Sequence, residues 1–248
     1  MCTLIVAWRA FEAAPVCVAA NRDERFGRPS SAPSVRGSDP RFLAPRDERA
    51  GGTWLGYNEA GVLVAVTNRW TAGEGDRSRG LLVTDALEER TATTAVERVE
   101  AELAAREYAP FHLVAADASD CLLVENGGGE ALEGHRTRAL SPGVHVVVNV
   151  GADGEWFVPA ARPEAGRRQA ENAERLVAAL EPNDGEGAAD WTRRAGEALG
   201  DHEFGVCVHA EGFGTRSSSL VRLGAERAFE FADGPPCRTP YERIDDRV

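Results

Sequence analysis

A cysteine stands directly behind the first methionine of this chain, at the head of the apolar run MCTLIVAWR, and the cluster NRDE follows at positions 21–24. If Met1 is removed, Cys2 carries both a thiol and a free α-amine. Their ordinary pKa values, about 8.5 and about 7.7 to 8.0, allow proton exchange near neutral pH. One residue would then supply a nucleophile and its general base. A buried cysteine that only fills space is the other interpretation of Cys2.

Charged side chains of the NRDE stretch could complete such a site. Asp23 could orient the ammonium group, and Arg22 could favour the thiolate or hold an anionic substrate. We expect the first two strands to form a hairpin in which Cys2 begins one strand and the NRDE stretch ends the other. Asn21, Arg22 and Glu24 are therefore candidate substrate-binding residues. A solvated charge cluster at a strand end is the alternative.

Further candidates for the site lie at the ends of other predicted strands. Asn149 ends the apolar run GVHVVVN, where its amide could donate a hydrogen bond to an oxyanion, although a turn-forming role is the alternative. Arg216 lies between a glycine turn and a strand in GFGTRSSSLV and could provide a positive wall. Asn68 and Arg69 end the strand of VTNRW and are candidate substrate-binding residues at the rim.

The composition excludes several classes of function. The net charge is −12 and all 28 basic residues are arginine, so lysine-dependent phosphate loops and Schiff-base chemistry are excluded. The acidic charge disfavours nucleic acid as a partner. An acidic, lysine-free chain also suggests adaptation to high salt. No apolar stretch approaches the roughly 18 to 20 residues of a membrane span, and no secretory signal is recognisable, so we expect a cytoplasmic protein.

The five cysteines are odd in number, widely scattered and without a C-x-x-C pair. This spacing favours neither a disulfide framework nor a structural zinc site, and we predict no metal ligands. No cofactor is required by the sequence. Haem could bind through Cys2 or one of the five histidines, although no C-x-x-C-H attachment motif occurs.

The order of elements predicts an α+β fold in one domain over residues 1–248, because strands and helices occur in segregated blocks. We interpret residues 28–50 as a long surface loop and 126–129 as a turn. The predicted strands are 2–9, 15–21, 53–57, 62–67, 111–116, 121–125, 143–150, 204–209, 217–223 and 228–231. The predicted helices are 79–106 with a break near Thr91, 162–180 and 189–199.

Six short motifs occur in one order along most of the chain: MCTLIVAW, NRDE, GGTWLG, TNR, SRG and GTRSSS. Together they resemble the NRDE family, the homologues of the transport and Golgi organization protein 2. That resemblance implies a four-layer αββα fold of the N-terminal nucleophile (Ntn) hydrolases, similar to the choloylglycine hydrolase and penicillin V acylase group.

The resemblance also implies roles for individual residues. Cys2 would be the nucleophile, Asp23 its close partner, Asn149 an oxyanion donor and Arg216 a site arginine. This chain departs from the acylase group at Ala20, where that group carries an arginine, and it has valine where the family has serine before the asparagine.

Three functions are compatible with these residues. The first is an amidase or thioesterase that works through an acyl-enzyme on a small substrate, for which an anionic group would suit the arginines. The second is a non-catalytic carrier of haem or of acyl-CoA and lipid, and the third is an interaction protein that has lost the chemistry. The sequence does not predict the oligomeric state.

Overall fold

The computed structural model describes residues 2–127 and 132–248. The chain divides into two compact units. The first unit consists of Met1–Gly27 and Ser141–Ile244, and the second consists of Arg28–Leu140 and Asp245–Val248. Within the described residues, each unit contains one antiparallel sheet and two α-helices.

The secondary structure begins and ends at the following residues. The strands are β1 (Thr3–Trp8), β2 (Val16–Arg25), β3 (Ser30–Arg36), β4 (Phe42–Asp47), β5 (Leu55–Asn58), β6 (Leu63–Asn68), β7 (Phe111–Ala116), β8 (Cys121–Asn126), β9 (His135–Ala139), β10 (Gly143–Val148), β11 (Gly151–Ala152), β12 (Glu155–Trp156), β13 (His209–Ala210), β14 (Phe213–Leu223), β15 (Ala228–Ala232) and β16 (Glu242–Arg243). The α-helices are α1 (Arg79–Ala86), α2 (Ala92–Ala105), α3 (Pro163–Leu180) and α4 (Ala188–Gly200).

The sheet of the first unit has the strand order β12-β11-β10-β1-β2-β14-β15-β16, and β13 pairs with β14. All six residues of β1 are buried, which explains why this strand is almost continuously apolar instead of alternating. β1 and β2 are antiparallel neighbours, and Thr3 lies opposite Asn21. The predicted hairpin is confirmed, and its pairing brings the start of the chain beside the NRDE stretch.

Two amphipathic helices, α3 and α4, pack on the sheet of the first unit. The buried residues of α3 are spaced three or four apart, as a helix with one inward face requires; they are Gly166, Gln169, Ala173, Leu176 and Leu180. Trp191 of α4 is fully buried, and its indole nitrogen donates to the carbonyl of Leu180 at 2.8 Å. Both predicted helices are confirmed. No helix within residues 2–127 and 132–248 combines the length and hydropathy needed to cross a bilayer.

The second unit has the strand order β3-β4-β5-β6-β7-β8-β9, with α1 and α2 packed on it. The predicted break in the helical stretch is confirmed at Thr91, which caps α2. Its hydroxyl accepts from the main-chain nitrogen of Thr94, while the Thr94 hydroxyl accepts from that of Thr91. This reciprocal pair satisfies two nitrogens that the first turn would otherwise leave unpaired.

The prediction of a surface loop over residues 28–50 is wrong, because β3 and β4 lie within it. β3 is the edge strand of its sheet and most of its residues are at least partly exposed. An edge strand tolerates proline and polar residues, so Pro33 and the serines of β3 conceal it from a search for apolar alternation. The short strands β9, β11, β12 and β16 were also not predicted.

The predicted strand over residues 204–209 is wrong as well. A short 3-10 turn covers His202–Phe204, and Gly205 follows it in the left-handed region with φ 64°. A left-handed residue interrupts an extended run, so only His209 and Ala210 pair, as β13. The predicted turn at 126–129 lies partly outside the described residues.

Candidate active site

Cys2 lies immediately before β1, where the strand pairing holds it beside the last residues of β2. Its sulfur is 3.8 Å from the main-chain oxygen of Asp23. The residue as a whole is partly exposed. Burial of the thiol raises its pKa, because a thiolate is poorly solvated there, and the positive charge of Arg22 acts in the opposite direction.

The carboxylate of Asp23 is buried and is held by a hydroxyl. Asp23 is 5% exposed, and Thr215 lies opposite it in the β2–β14 pairing. The Thr215 hydroxyl donates to Oδ1 of Asp23 at 2.6 Å. Burial raises the pKa of this carboxyl, while the hydrogen bond from Thr215 lowers it. The side chain is therefore a buried acid in a preorganised position.

Asn149 faces the nitrogen of Cys2. That nitrogen donates to Oδ1 of Asn149 at 3.2 Å, and Nε2 of Gln169 donates to the same oxygen at 3.0 Å. The Cys2 nitrogen is a main-chain amide behind Met1, and it stands in for the α-amine that removal of Met1 would create. The predicted role of Asn149 was that of an oxyanion donor. The structure instead gives its oxygen an acceptor role, and the oxyanion contact stays a prediction.

Arg216 is the extra residue of a β-bulge. Thr215 pairs with Asp23 and Ser217 pairs with Arg22, so Arg216 between them has no partner position in the ladder. Bulges near active sites commonly redirect a side chain. The guanidinium carbon of Arg216 lies 6.0 Å from the centroid of the Phe26 ring. Its buried Nε has no hydrogen-bond partner within the described part of the chain, which leaves a donor for a ligand.

The other NRDE residues differ in their surroundings. Asn21 is 3% exposed, and its amide nitrogen donates to the carbonyls of Leu199 at 3.0 Å and Val206 at 2.9 Å. Its amide thus connects β2 to α4 and to the segment that precedes β13. This is a structural contact, where a substrate contact was predicted. Arg22 is buried. Glu24 is partly exposed, and its carboxylate accepts from the main-chain nitrogen of the next residue at 2.8 Å.

Asn68 and Arg69 belong to the second unit. Arg69 is buried and donates to Nε2 of His112 at 2.9 Å and to Glu125 at 3.4 Å. Its guanidinium therefore has internal partners, where a rim position was predicted. Asn68 is exposed at the end of β6.

Sequence reasoning missed Thr215 and Gln169. Gln169 is 4% exposed on the inward face of α3, so a polar residue at an apolar position of the helical repeat was the available signal. Thr215 immediately precedes the predicted Arg216, but nothing in its own neighbourhood indicates that its hydroxyl meets a carboxylate.

An open pocket of about 770 Å³ also lies in the first unit. It is lined by one face of α4, by β14 and β15, and by residues 236–241. Neither Cys2 nor Asp23 borders it, so the candidate site is defined by the geometry around Cys2 and not by this pocket.

The fold is similar to that of solved hydrolases. Penicillin V acylase from Agrobacterium tumefaciens matches with a TM-score of 0.58 and 15% identity, over 93% of this chain and 82% of the acylase chain. The C2A variant of conjugated bile acid hydrolase from Clostridium perfringens matches with a TM-score of 0.54 and 12% identity, over 100% of this chain and 94% of the hydrolase chain. These likenesses show that the chain has an Ntn-hydrolase-like α+β fold, as predicted.

The sequence comparison then gives the family. The Transport and Golgi organisation 2 family matches residues 1–234. The Transport and Golgi organization protein 2 homolog of Bos taurus is 30% identical over 243 residues, which cover 87% of this chain and 84% of the bovine protein. The chain belongs to the Transport and Golgi organisation 2 family, and the resemblance stated from the sequence motifs is confirmed.

Proposed function

We propose that this chain is an N-terminal-cysteine hydrolase that cleaves an amide or an acyl thioester through an acyl-enzyme. The observation that carries the proposal is the placement of both reactive atoms of Cys2. Its nitrogen lies 3.2 Å from Oδ1 of Asn149, and its sulfur lies 3.8 Å from the main-chain oxygen of Asp23. Two of the solved proteins of similar fold are, by name, an acylase and a hydrolase.

The reaction requires removal of Met1, which exposes the α-amine of Cys2. The amine takes the proton of the thiol, and the sulfur attacks the acyl carbon to form a carbon–sulfur bond. Collapse of the tetrahedral intermediate breaks the bond to the leaving amine or thiol, which receives that proton. Water then attacks the acyl-enzyme, the acid is released, and the thiol of Cys2 is regenerated.

The neighbours of Cys2 would orient its amine and its substrate. The acceptor oxygen of Asn149 would hold one N–H of the amine, because Gln169 already fixes the orientation of that amide. Burial raises the pKa of the Cys2 thiol, and the positive charge of Arg22 opposes that rise. The unpaired Nε of Arg216 would bind a carbonyl or carboxylate oxygen of the substrate.

The test uses the full chain with Cys2 intact, the Cys2→Ala variant and the Arg9→Ala variant, which changes an exposed residue away from Cys2. Intact-mass measurement first establishes whether Met1 is removed. The proteins are then screened against acyl anilides and acyl thioesters with neutral and anionic acyl groups. We expect hydrolysis and an acyl adduct on Cys2 in the native chain and in Arg9→Ala, and neither in Cys2→Ala. Equal hydrolysis by Cys2→Ala would contradict the proposal.

A further inference from the structure

A second group of chemically active side chains lies in the first unit. The ligating atoms of His202, Cys207, His209 and Cys237 all lie within 4.8 Å of one another. The Cys207 sulfur is 3.5 Å from Nε2 of His209, and that nitrogen is 3.3 Å from the Cys237 sulfur. All four cysteine and histidine atoms thus converge on one point, although the spacing of these residues in the sequence favoured no metal site.

We propose that these four residues form a tetrahedral zinc site. Zinc bonds of about 2.3 Å to sulfur and about 2.0 to 2.1 Å to nitrogen place adjacent ligand atoms about 3.3 to 3.8 Å apart. The sulfur–nitrogen distances of 3.5 and 3.3 Å around Nε2 of His209 fall within that interval. Two thiolates and two imidazoles are a set that selects zinc over magnesium or calcium, which take oxygen ligands.

The local backbone explains how residues so far apart in sequence meet. His202 lies in the 3-10 turn, and Gly205 in its left-handed conformation reverses the chain so that Cys207 and His209 return towards His202. The rings of the two histidines lie 5.2 Å apart, edge to face. Gly200 permits the approach of the fourth residue, because a Cβ there would lie 3.2 Å from the main-chain nitrogen of Cys237.

The exposure of the four residues makes the site accessible to a metal ion from solvent. Cys207 is buried, whereas His202, His209 and Cys237 are exposed. One ligand is therefore anchored in the protein, and the other three leave a route for the ion. Binding of Zn²⁺ by two thiols and two neutral imidazoles releases two protons and produces a site of no net charge.

Zinc at this position would also order the segment that supports Asp23. Cys207 lies between Val206, whose carbonyl accepts from Asn21 at 2.9 Å, and Val208, whose nitrogen donates to the Thr215 hydroxyl at 2.9 Å. Metal binding would hold both hydrogen bonds in place. The metal thus has a structural role, and the proposal does not depend on the proposed hydrolysis.

The test uses the purified full chain, reduced and freed of metal with a chelator. Co²⁺ is added first, because cobalt bound to thiolates in a tetrahedron gives characteristic visible and charge-transfer absorption, and Zn²⁺ is then added to displace it. We expect one ion per chain, a higher melting temperature with zinc, and loss of the cobalt spectrum in Cys237→Ser and in His209→Ala. Cys2→Ala, which leaves the four ligands intact, should retain it.

Several results would overturn the proposal. They are a folded, reduced chain without cobalt–thiolate absorption, the same spectrum in Cys237→Ser as in the native chain, and a spectrum lost only in Cys2→Ala. A disulfide between Cys207 and Cys237 in protein isolated without reductant, with no zinc bound after its reduction, would also overturn it. Because the readout is metal binding, inactivity towards every acyl substrate would leave this conclusion unaffected.

Discussion

The hydroxyl of Thr215 donates a 2.6 Å hydrogen bond to the carboxylate of Asp23, from the neighbouring strand of the sheet. The same hydroxyl accepts from the main-chain nitrogen of Val208 at 2.9 Å, so its single proton is committed to the carboxylate. Asp23 is therefore positioned by Thr215, a residue that is far from it in sequence and lies opposite it in the sheet.

Replacement of Thr215 by valine removes the donor while nearly preserving shape. A hydrogen bond to a charged group contributes about 1.5 to 3 kcal/mol, so we expect the proposed hydrolysis to fall roughly 10- to 100-fold. Thr215→Ser keeps the hydroxyl and should stay close to the native rate. The measurement is kcat and KM for both variants with an acyl substrate. A loss of equal size in the serine variant, which keeps the hydroxyl, would contradict the assignment of the effect to the Thr215–Asp23 hydrogen bond.

Asp23→Asn should stabilise the fold while it impairs the proposed chemistry. Burial raises the pKa of Asp23 above its ordinary value of 3.8, so the unfolded chain loses this proton at a lower pH than the folded chain. Stability from this group is thus present below the unfolded pKa and is lost as pH rises through the folded pKa. Asparagine does not ionise and still accepts from Thr215, and we expect a gain of about 1 kcal/mol or more at neutral pH.

Urea unfolding at acidic and neutral pH measures that difference. Asp47→Asn is the matched control, because Asp47 forms an ion pair with Arg28 at 2.6 Å and its replacement should destabilise the fold. We expect the advantage of Asp23→Asn in free energy of unfolding to grow as the pH rises. An advantage that shrinks as the pH rises would argue against a buried carboxyl with a raised pKa.

Cys17 should make the fold less stable in mildly alkaline solution. Burial raises the pKa of this thiol from 9.0 to about 11. Between those values the unfolded chain releases the thiol proton and the folded chain keeps it, so stability falls as pH rises. A pKa difference of about two units between the folded and the unfolded chain lowers the free energy of unfolding by about 2 to 3 kcal/mol once the pH exceeds both values. Urea unfolding between about pH 8 and 11 should show a smaller decline in Cys17→Ala than in the native chain. Identical slopes would contradict the prediction.

Glu125 should be important for the stability of the second unit. It is 1% exposed and pairs with Arg69 at 3.4 Å, with Arg138 at 3.7 Å and with Arg136. Glu125→Gln leaves the buried guanidinium of Arg69 without its charge partner, which typically costs about 3 to 5 kcal/mol.

The matched control for Glu125 is Glu59→Gln, which removes an exposed pair with Arg41 and should change stability by about 1 kcal/mol or less. The measurement is the midpoint and slope of urea unfolding. Equal losses of unfolding free energy in the two variants would show that burial does not increase the contribution of the Glu125 ion pairs to stability.

The sequence by itself determined those helices and strands whose signals are local. The apolar run of β1, the helical spacing of α3 and the break near Thr91 are local patterns, because each depends on residues within a few positions of one another. The proximity of Cys2 to Asp23 was also predictable, since a hairpin brings its two ends together, and the pairing of Thr3 with Asn21 confirms that hairpin.

The tertiary structure alone decided which side chains meet across elements. Gln169 donates to Asn149 from α3, and Thr215 donates to Asp23 from the neighbouring strand. The bulge that leaves Arg216 without a partner position depends on how β14 is aligned with β2. Arg69 has the polar character of a rim residue, yet its partners in β7 and β8 bury it.

The grouping of Cys207 with Cys237 has the same origin. The two cysteines are not a recognisable pair in sequence, and they converge only because a left-handed glycine turns one segment and a second glycine lets the other approach. Local periodicity specifies which face of an element is buried, whereas contacts between side chains depend on register, bulges and chain reversals. Those are set by the packing of the whole unit, and the sites of this protein are built from them.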